Sequence, residues 1–304
     1  MIQALILGNI ITMDEKRPFA KAAVAKDGVF AYIGNPEEAK KLISKGTRVL
    51  DYGDNYIYPG FMESHCHLVD VDKNGEPDGY ICEGPVFETA AKFPATIEDI
   101  KDYLLAWQDF ALSCGFTAVG DAGANIVHKD APKAYHELEM DGLLKLRTYA
   151  YIYVNDNVDS PKAEIASIAA QREEISGEYF HIIGVKPFYD AGANEVFHSD
   201  YPVSTMMNVK YRIYTAEKRP NPAGLFGDSP RGMKEAITRE QSLKAMTINV
   251  ARQFQQEHRM GSIEFGKIAN MTVFDCDFLH DDIEKVAQAN IIATIVDGEE
   301  VFKA

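Results

Sequence analysis

Between residues 58 and 188, short apolar runs of strand length alternate with amphipathic stretches of helix length, and this alternation limits the possible folds more than any other feature. "YPGFMESHCHL" reads as a strand, "TIEDIKDYLLAWQDFALSC" as a helix capped by Thr96, and "GFTAVGDAGA" as a second strand. "PKAYHELEMDG" is helical, "LLKLRTYAYIYV" a third strand, "SPKAEIASIAAQREEI" a helix with Ser160 as N-cap and Pro161 at its first position, and "YFHIIGVKPF" a fourth strand. Strand-helix repetition of this kind predicts parallel βα units. The pattern then breaks. "NEVFHSD" looks like a further strand, yet only a few residues separate it from the strand ending near Phe188, and a parallel neighbour needs a crossover of about a dozen residues. The reading is an α/β chain built as an incomplete (β/α)₈ TIM-type barrel with about five recognisable strands. Its barrel domain covers residues 59–259, with a deletion near 187–192, either real or reflecting a segment omitted from the sequence. "ITREQSLKAMTINVARQF" is expected to be one helix opened by a Thr238 and Gln241 capping box.

The two ends differ in texture. "ALILGNIITM", "AAVAKDGVFAYIG" and "RVLDYGDNYIY" are β-type runs, and "GSIEFGKIANMTVFDCD" with "ANIIATIVDGEEVFKA" repeats the theme. Asp27-Gly28 and Asp297-Gly298 each mark a hairpin, because a type I′ turn needs positive φ at both central positions. The first run of strands reads as a small antiparallel unit. Neither end supplies enough strands for a stable sheet alone, so residues 1–58 and 260–304 are expected to combine into one small β-sandwich domain.

A net charge of −15, from 31 basic and 46 acidic residues, argues against a nucleic-acid partner, which needs a basic face. The opening "MIQALILGNIITMDE" lacks a basic leader and meets Asp14 and Glu15 too early for a membrane span, so no membrane partner and a cytoplasmic location are expected. Four cysteines without CxxC spacing read as reduced thiols.

His65 and His67 close the first parallel strand. On an ideal strand, residues i and i+2 share a face, and two imidazoles so placed can hold one divalent ion. On spacing alone, two polar residues closing a strand is an equal reading. Position favours the metal, since barrel enzymes assemble their sites at the carboxyl ends of the strands. Lys186 in "IIGVKPF" and Asp200 in "NEVFHSDYPV" also end apolar strands, where a charge is costly unless something compensates it. His198 and Asp121 are candidate pocket residues. His128, His136, His181, His258 and His280 read as ordinary surface or core residues.

"YPGFMESHCHL" resembles the strand-one signature of the amidohydrolase superfamily, in the branch containing N-substituted formamide deformylase and YtcJ-type proteins. "HSDYPVS" resembles its strand-eight aspartate motif, and "GVK" its strand-four lysine segment. "ITREQSLKAMTINVAR", "GSIEFGKIANMTVFDCD" and "IIATIVDGEEVF" resemble the closing helix and sandwich strands. The resemblance implies a TIM barrel with a composite β-sandwich and one or two divalent ions, most readily zinc. It further implies that His65 and His67 are metal ligands, that Lys186 is a carboxylated bridge, and that Asp200 is both ligand and proton shuttle. The implied activity is hydrolysis of a non-peptide carbon–nitrogen bond in a small amide or formamide. The strand-five and strand-six histidines of the family have no counterpart between Lys186 and Asp200, which coincides with the short connection. A second reading is therefore a catalytically inactive, truncated remnant acting as a binding or assembly protein. A barrel short of strands leaves parallel edges to cover, which predicts a homo-oligomer.

Overall fold

The computed structural model describes residues 2–66, 95–153, 161–185, 207–220, 230 and 233–304. Strands β1 (Ile2–Ile11), β2 (Phe19–Lys26), β3 (Val29–Gly34) and β4 (Arg48–Pro59) come from the amino end, with helix α1 (Pro36–Leu42) between β3 and β4. From the carboxyl end come β9 (Met271–Phe274), β10 (Ile291–Val296) and β11 (Glu299–Lys303), with helix α8 (Ile283–Ala287) between β9 and β10. The two sets join edge to edge, β9 beside β4, in one seven-stranded sheet of order β11-β10-β9-β4-β1-β2-β3. The expected antiparallel amino-terminal unit needs correction, because β4 runs parallel to β1. The cause is α1, which lengthens the β3–β4 link into a crossover. Its "NPEEAKKL" sequence carries the helix-start chemistry: the Asn35 side chain accepts from the Glu38 amide at 2.9 Å, and proline follows the cap.

Both Asp-Gly hairpins form as read. Asp27 and Gly28 have φ of 52° and 80°, Asp297 and Gly298 of 53° and 80°. The sheet curls until these turns meet across Ala269, whose amide donates to the Gly28 carbonyl at 2.8 Å and whose carbonyl accepts from the Gly298 amide at 2.9 Å. Phe30 also pairs with Lys267 and Gly266 at 2.8 Å each, so part of β3 is covered by the segment leading into β9. The curled layer encloses Ala4, Ile6, Phe30, Ile57, Val273 and Ile295 in one core.

The second sheet holds β5 (Phe61–Cys66), β6 (Phe116–Asp121), β7 (Arg147–Ile152) and β8 (Phe180–Val185), all parallel and in chain order. Between them run α2 (Ile97–Ser113), α3 (Ala131–Met140) and α4 (Pro161–Ile175). Thr96 opens α2 in a reciprocal capping box with Asp99. Gln108 of α2 is buried but satisfied, accepting from the Lys145 and Leu146 amides at 2.5 and 3.0 Å and donating to the Leu143 carbonyl at 3.2 Å. This pins the approach to β7. The strand read at "NEVFHSD" and the junction at 187–192 lie outside the described residues.

Alternate residues of the parallel sheet face different partners, as pleating requires. Val119, Ala150, Phe180 and Ile182 join the core that includes Leu104, Trp107, Tyr135 and Leu138 of α2 and α3. Met62, Ala118 and Tyr149 join Val250, Ala251 and Phe254. The single carboxyl-terminal helix expected from the sequence is in fact two, α6 (Arg239–Ala245) and α7 (Ile248–Gln253). The capping box at Thr238 and Gln241 is present. The break sits at Thr247, with φ −129° and ψ −97°, because the Met246 carbonyl is diverted to accept from the Met62 amide of β5 at 2.9 Å. Helix α5 (Val209–Lys218) contributes Val209 and Ile213 to the core shared with α2 and α3. Among the described residues no helix is long and apolar enough to cross a membrane.

The two sheets are joined by a buried cation. Arg147, 2% exposed at the start of β7, contacts Asp297 in the β10–β11 turn at 2.8 Å and Glu178 at 3.2 Å. Its guanidinium lies over the Tyr179 ring at 4.7 Å, and the Tyr179 hydroxyl donates to Asp297. Removing one partner of a buried pair strands the other charge. Asp297→Asn, which keeps a residue tolerant of positive φ, should therefore lower unfolding free energy by about 3 kcal/mol in urea titrations. Arg147→Met should cost less, because the Asp297 carboxylate left behind can reach water; the reverse order would refute this account of the seam.

Burial alone would raise the Glu178 pKa, but Arg147 and Arg259 outweigh it and hold the carboxyl below its ordinary 4.5. With the folded value below the unfolded one, the stabilisation is complete above about pH 4.5 and is lost as pH falls through the folded value. The melting-temperature gap between the parent and Glu178→Gln should thus narrow on going from about pH 6 to about pH 3. A gap that widens on acidification contradicts the assignment.

Candidate metal centre

The chain leaves the curled sheet at Pro59 and enters the parallel sheet at Phe61, with only Gly60 between them. The Gly60 amide donates to the Asn270 carbonyl at 2.9 Å. A side chain at this position would overlap the hydroxyl and methyl of Thr117, itself buried on β6. Such close backbone passage is what glycine permits. The direction of β5, and with it the location of His65, is set at this point.

Along β5 the pairing with β6 runs Met62 to Ala118, Glu63 to Val119 and Cys66 to Asp121. Three steps on β5 match two on β6, so one extra residue is accommodated at Ser64–His65. This is a bulge, a device that re-aims side chains. Strict alternation therefore does not carry through from Glu63 to Cys66, and the shared face expected of His65 and His67 turns on His67, which lies outside the described residues. His65 is half-buried, whereas Cys66 is fully buried with its Sγ 3.5 Å from the Gly120 carbonyl.

Several groups hold the bulge. Glu63, fully buried, accepts from the His65 amide at 3.2 Å and pairs with Arg212 of α5. The Arg212 guanidinium lies 5.3 Å from the Phe116 ring centroid. Gln253 at the end of α7 donates to the Ser64 carbonyl at 3.3 Å, and its side chain also meets the Tyr151 hydroxyl. The Ala122 amide donates to the Cys66 carbonyl at 2.9 Å, linking the ends of β5 and β6.

Asp121 ends β6 next to Cys66 but is fully buried and accepts from the Tyr135 hydroxyl of α3 at 3.3 Å. Tyr135 stacks on Phe180 at 4.5 Å. Burial, reinforced by the Asp121 charge, pushes the Tyr135 pKa well above the usual tyrosine value, so this phenol stays protonated as a donor. Asn125 and Tyr153 exchange side-chain and backbone hydrogen bonds at 2.7 and 3.1 Å, tying the loop after β6 to the end of β7.

Of the residues singled out from sequence, the structure brings His65 and Asp121 to neighbouring strand ends, while His67, Lys186, His198 and Asp200 lie outside the described residues. Lys186 directly follows Val185, where β8 ends. His181 of β8 stacks on Tyr149 at 5.1 Å, and burial lowers its pKa. His280 sits against Asp277 at 2.9 Å. Among the described residues no group of three or more His, Cys, Asp or Glu side chains is arranged to hold a metal ion. A cavity of about 570 Å³, lined by Met13, Phe19, Lys244 and His280 among others, is not bordered by any residue of β5 or β6.

Sequence reading missed Glu63, Arg212 and Gln253. The signal for Glu63 was available: an acidic residue inside the apolar run that precedes His65 must find a buried partner. Nothing in "NVKYRIYTAEKR" marks Arg212 as that partner.

Residues 179–302 match the model of a family described as the amidohydrolase family. N-substituted formamide deformylase of Arthrobacter pascens is 31% identical over 121 residues, 40% of this chain and 21% of that protein. The matched stretch spans about a fifth of the length of the curated relatives. Among solved structures, the guanine deaminase of E. coli is similar with a TM-score of 0.68 at 15% identity, covering 100% of both chains. Zinc-complexed atrazine chlorohydrolase TrzN of Arthrobacter aurescens TC1 gives 0.64 at 15% identity, covering 99% of this chain and 95% of that one. The chain thus shares its α/β fold with these solved enzymes, and its residues 179–302 match the amidohydrolase family.

Gly120 provides a direct test of the bulge. A Cβ there would stand 2.5 Å from the Ser64 carbonyl oxygen and 3.0 Å from the Phe254 ring. Gly120→Ala should destabilise the protein by about 1–3 kcal/mol through this overpacking and speed hydrogen exchange at the His65 amide. Parent-like stability and exchange would show that β5 is not held against β6 as described.

Proposed function

We propose that the protein is a metal-dependent hydrolase that cleaves a carbon–nitrogen bond of a small, non-peptide amide or formamide. The observation that carries the reading is the braced bulge that sets His65 at the carboxyl end of β5, in a chain whose residues 179–302 match the amidohydrolase family. Likeness to a formamide deformylase over part of the chain favours the formamide class.

His65, His67, Lys186 and Asp200 are the residues that would hold the metal. As a donor set they fit a borderline divalent ion such as zinc: two imidazoles, a carboxylate, and an amine that becomes an anionic oxygen donor on taking up carbon dioxide. When bound, such an ion lowers the pKa of a water towards neutrality and polarises a carbonyl. The chain's own part is proton handling and orientation. The Asp200 carboxylate takes the proton from the attacking water and delivers it to the departing nitrogen, so that the amine leaves neutral. The Glu63 carboxylate, tied to Arg212, holds the backbone at His65. The other reading, a binding or assembly protein that works as a homo-oligomer, draws on the short sequence between Lys186 and Asp200, which leaves no room for further βα units.

The test is metal analysis and amine release from N-substituted formamides, on the purified protein reconstituted with zinc. One or two ions per chain are expected, with His65→Ala reducing the content and Asp200→Ala lowering turnover by about 10²- to 10⁴-fold. A parent chain that takes up no metal, or variants that match it in both measurements, would leave the enzymatic reading without support.

A further inference from the structure

We propose that Glu63 and Arg212 form the positioning element of the candidate metal centre, coupling the strand that carries His65 to the helix that follows the Asp200 segment; this rests on the metal-dependent reading above. Glu63 is 0% exposed and the Arg212 side chain 9%. Each oxygen of the carboxylate has a separate task. One accepts the His65 amide at 3.2 Å, and the other takes Arg212. At a bulge the extra residue loses its regular ladder partner, and a buried amide without an acceptor is costly. Glu63 supplies that acceptor from two residues away, so the conformation of the bulge depends on where its carboxylate is held.

Arg212 does the holding. It lies on α5, 149 residues further along the chain, and its planar guanidinium is confined between the carboxylate and the Phe116 ring of β6. The pair therefore spans β5, β6 and α5, and α5 begins nine positions after Asp200. Stability alone does not account for it, because a buried ion pair is often replaceable by apolar side chains at little or no loss. What apolar side chains cannot provide is a directional link between the His65 backbone and the helix after Asp200. Ligand atoms of a metal site must sit within about 0.2 Å of ideal distances, so a modest shift of β5 against α5 would be felt first as weaker metal binding.

The experiment compares full-length parent, Glu63→Gln, Glu63→Asp, Arg212→Met and Arg212→Lys. Zinc affinity is measured by competition with a chelator, and melting temperature is measured on the metal-free forms. Glu63→Gln and Arg212→Met should each weaken zinc binding by about 10- to 100-fold. Each should also lower the metal-free melting temperature, because one partner of a buried pair is left stranded, so the affinity loss is read against that of Asp297→Asn, which is destabilised in the same way. Combining them should weaken binding no further, since both break one link. Arg212→Lys, which keeps the charge without the fork, should fall between Arg212→Met and the parent, and it carries the test if Glu63→Gln does not fold. Glu63→Asp should recover part of the affinity. Asp297→Asn, destabilised at the distant seam, should bind zinc as the parent does. Zinc affinities of Glu63→Gln and Arg212→Met within about twofold of the parent, or losses matched by Asp297→Asn, would overturn the positioning role while leaving the metal-dependent reading intact. A parent that binds no zinc would remove both.

Discussion

The structure depends on a single-residue passage between two sheets. β4 is bonded into the curled sheet and β5 into the parallel one, and Gly60 alone separates them. A connection this short cannot act as a hinge. It makes the first parallel strand a continuation of a strand already fixed on both edges, by β1 and β9. Because β9 belongs to the carboxyl end, the orientation of β5 is set by pairing between residues more than 200 positions apart in sequence. The Arg147 seam fixes the same relationship from the other direction, holding the base of β7 against the β10–β11 turn. With two such ties, the carboxyl ends of β5 and β6 inherit their positions from the chain termini.

Much of this was legible in the sequence, and the residues show why. Asp-Gly pairs specify a backbone conformation that few other dipeptides adopt, so both hairpins could be read locally. The strand-helix alternation and the Thr96 and Thr238 capping boxes are likewise local signals, and all four parallel strands in the described part fall where the apolar runs lie. The parallel pairing of β1 with β4 follows from α1, whose start signal lies in the β3–β4 link itself, a local signal that the sequence reading missed. The break at Thr247 and the bulge at Ser64–His65 are instead each imposed by a partner from elsewhere in the chain: the Met62 amide taking the Met246 carbonyl, and the Glu63–Arg212 pair. Tertiary contacts override pattern at these points, and no window of local sequence contains both sides of them.

The bulge also changes how a His-x-His pattern should be read. Period-two alternation applies to an unbroken ladder, and here the extra residue falls between Glu63 and Cys66. Asp121 gives the complementary lesson. This carboxylate at a strand end is fully buried and hydrogen-bonded to Tyr135 of α3, a tyrosine that burial keeps protonated. Of the two neighbouring strand ends, β5 presents a half-buried imidazole and β6 a carboxylate turned into the core. Two strand ends that lie side by side thus differ in how far their polar residues are buried.

The supports of His65 come from a distant part of the chain. Met246 receives the Met62 amide, Gln253 donates to the Ser64 carbonyl, and Arg212 holds Glu63. All three lie within residues 179–302, the stretch that matches the amidohydrolase family, whereas β5 lies outside it. The family-like region therefore shapes the strand on which the candidate ligand sits, through contacts that local sequence does not predict. If those contacts were incidental packing, apolar neighbours would serve as well. Instead each is a directional hydrogen bond or ion pair to β5, concentrated on residues 62 to 64 immediately before His65. Directional bonds constrain position more tightly than dispersion contacts do, and their concentration at this point fixes the backbone that leads into His65.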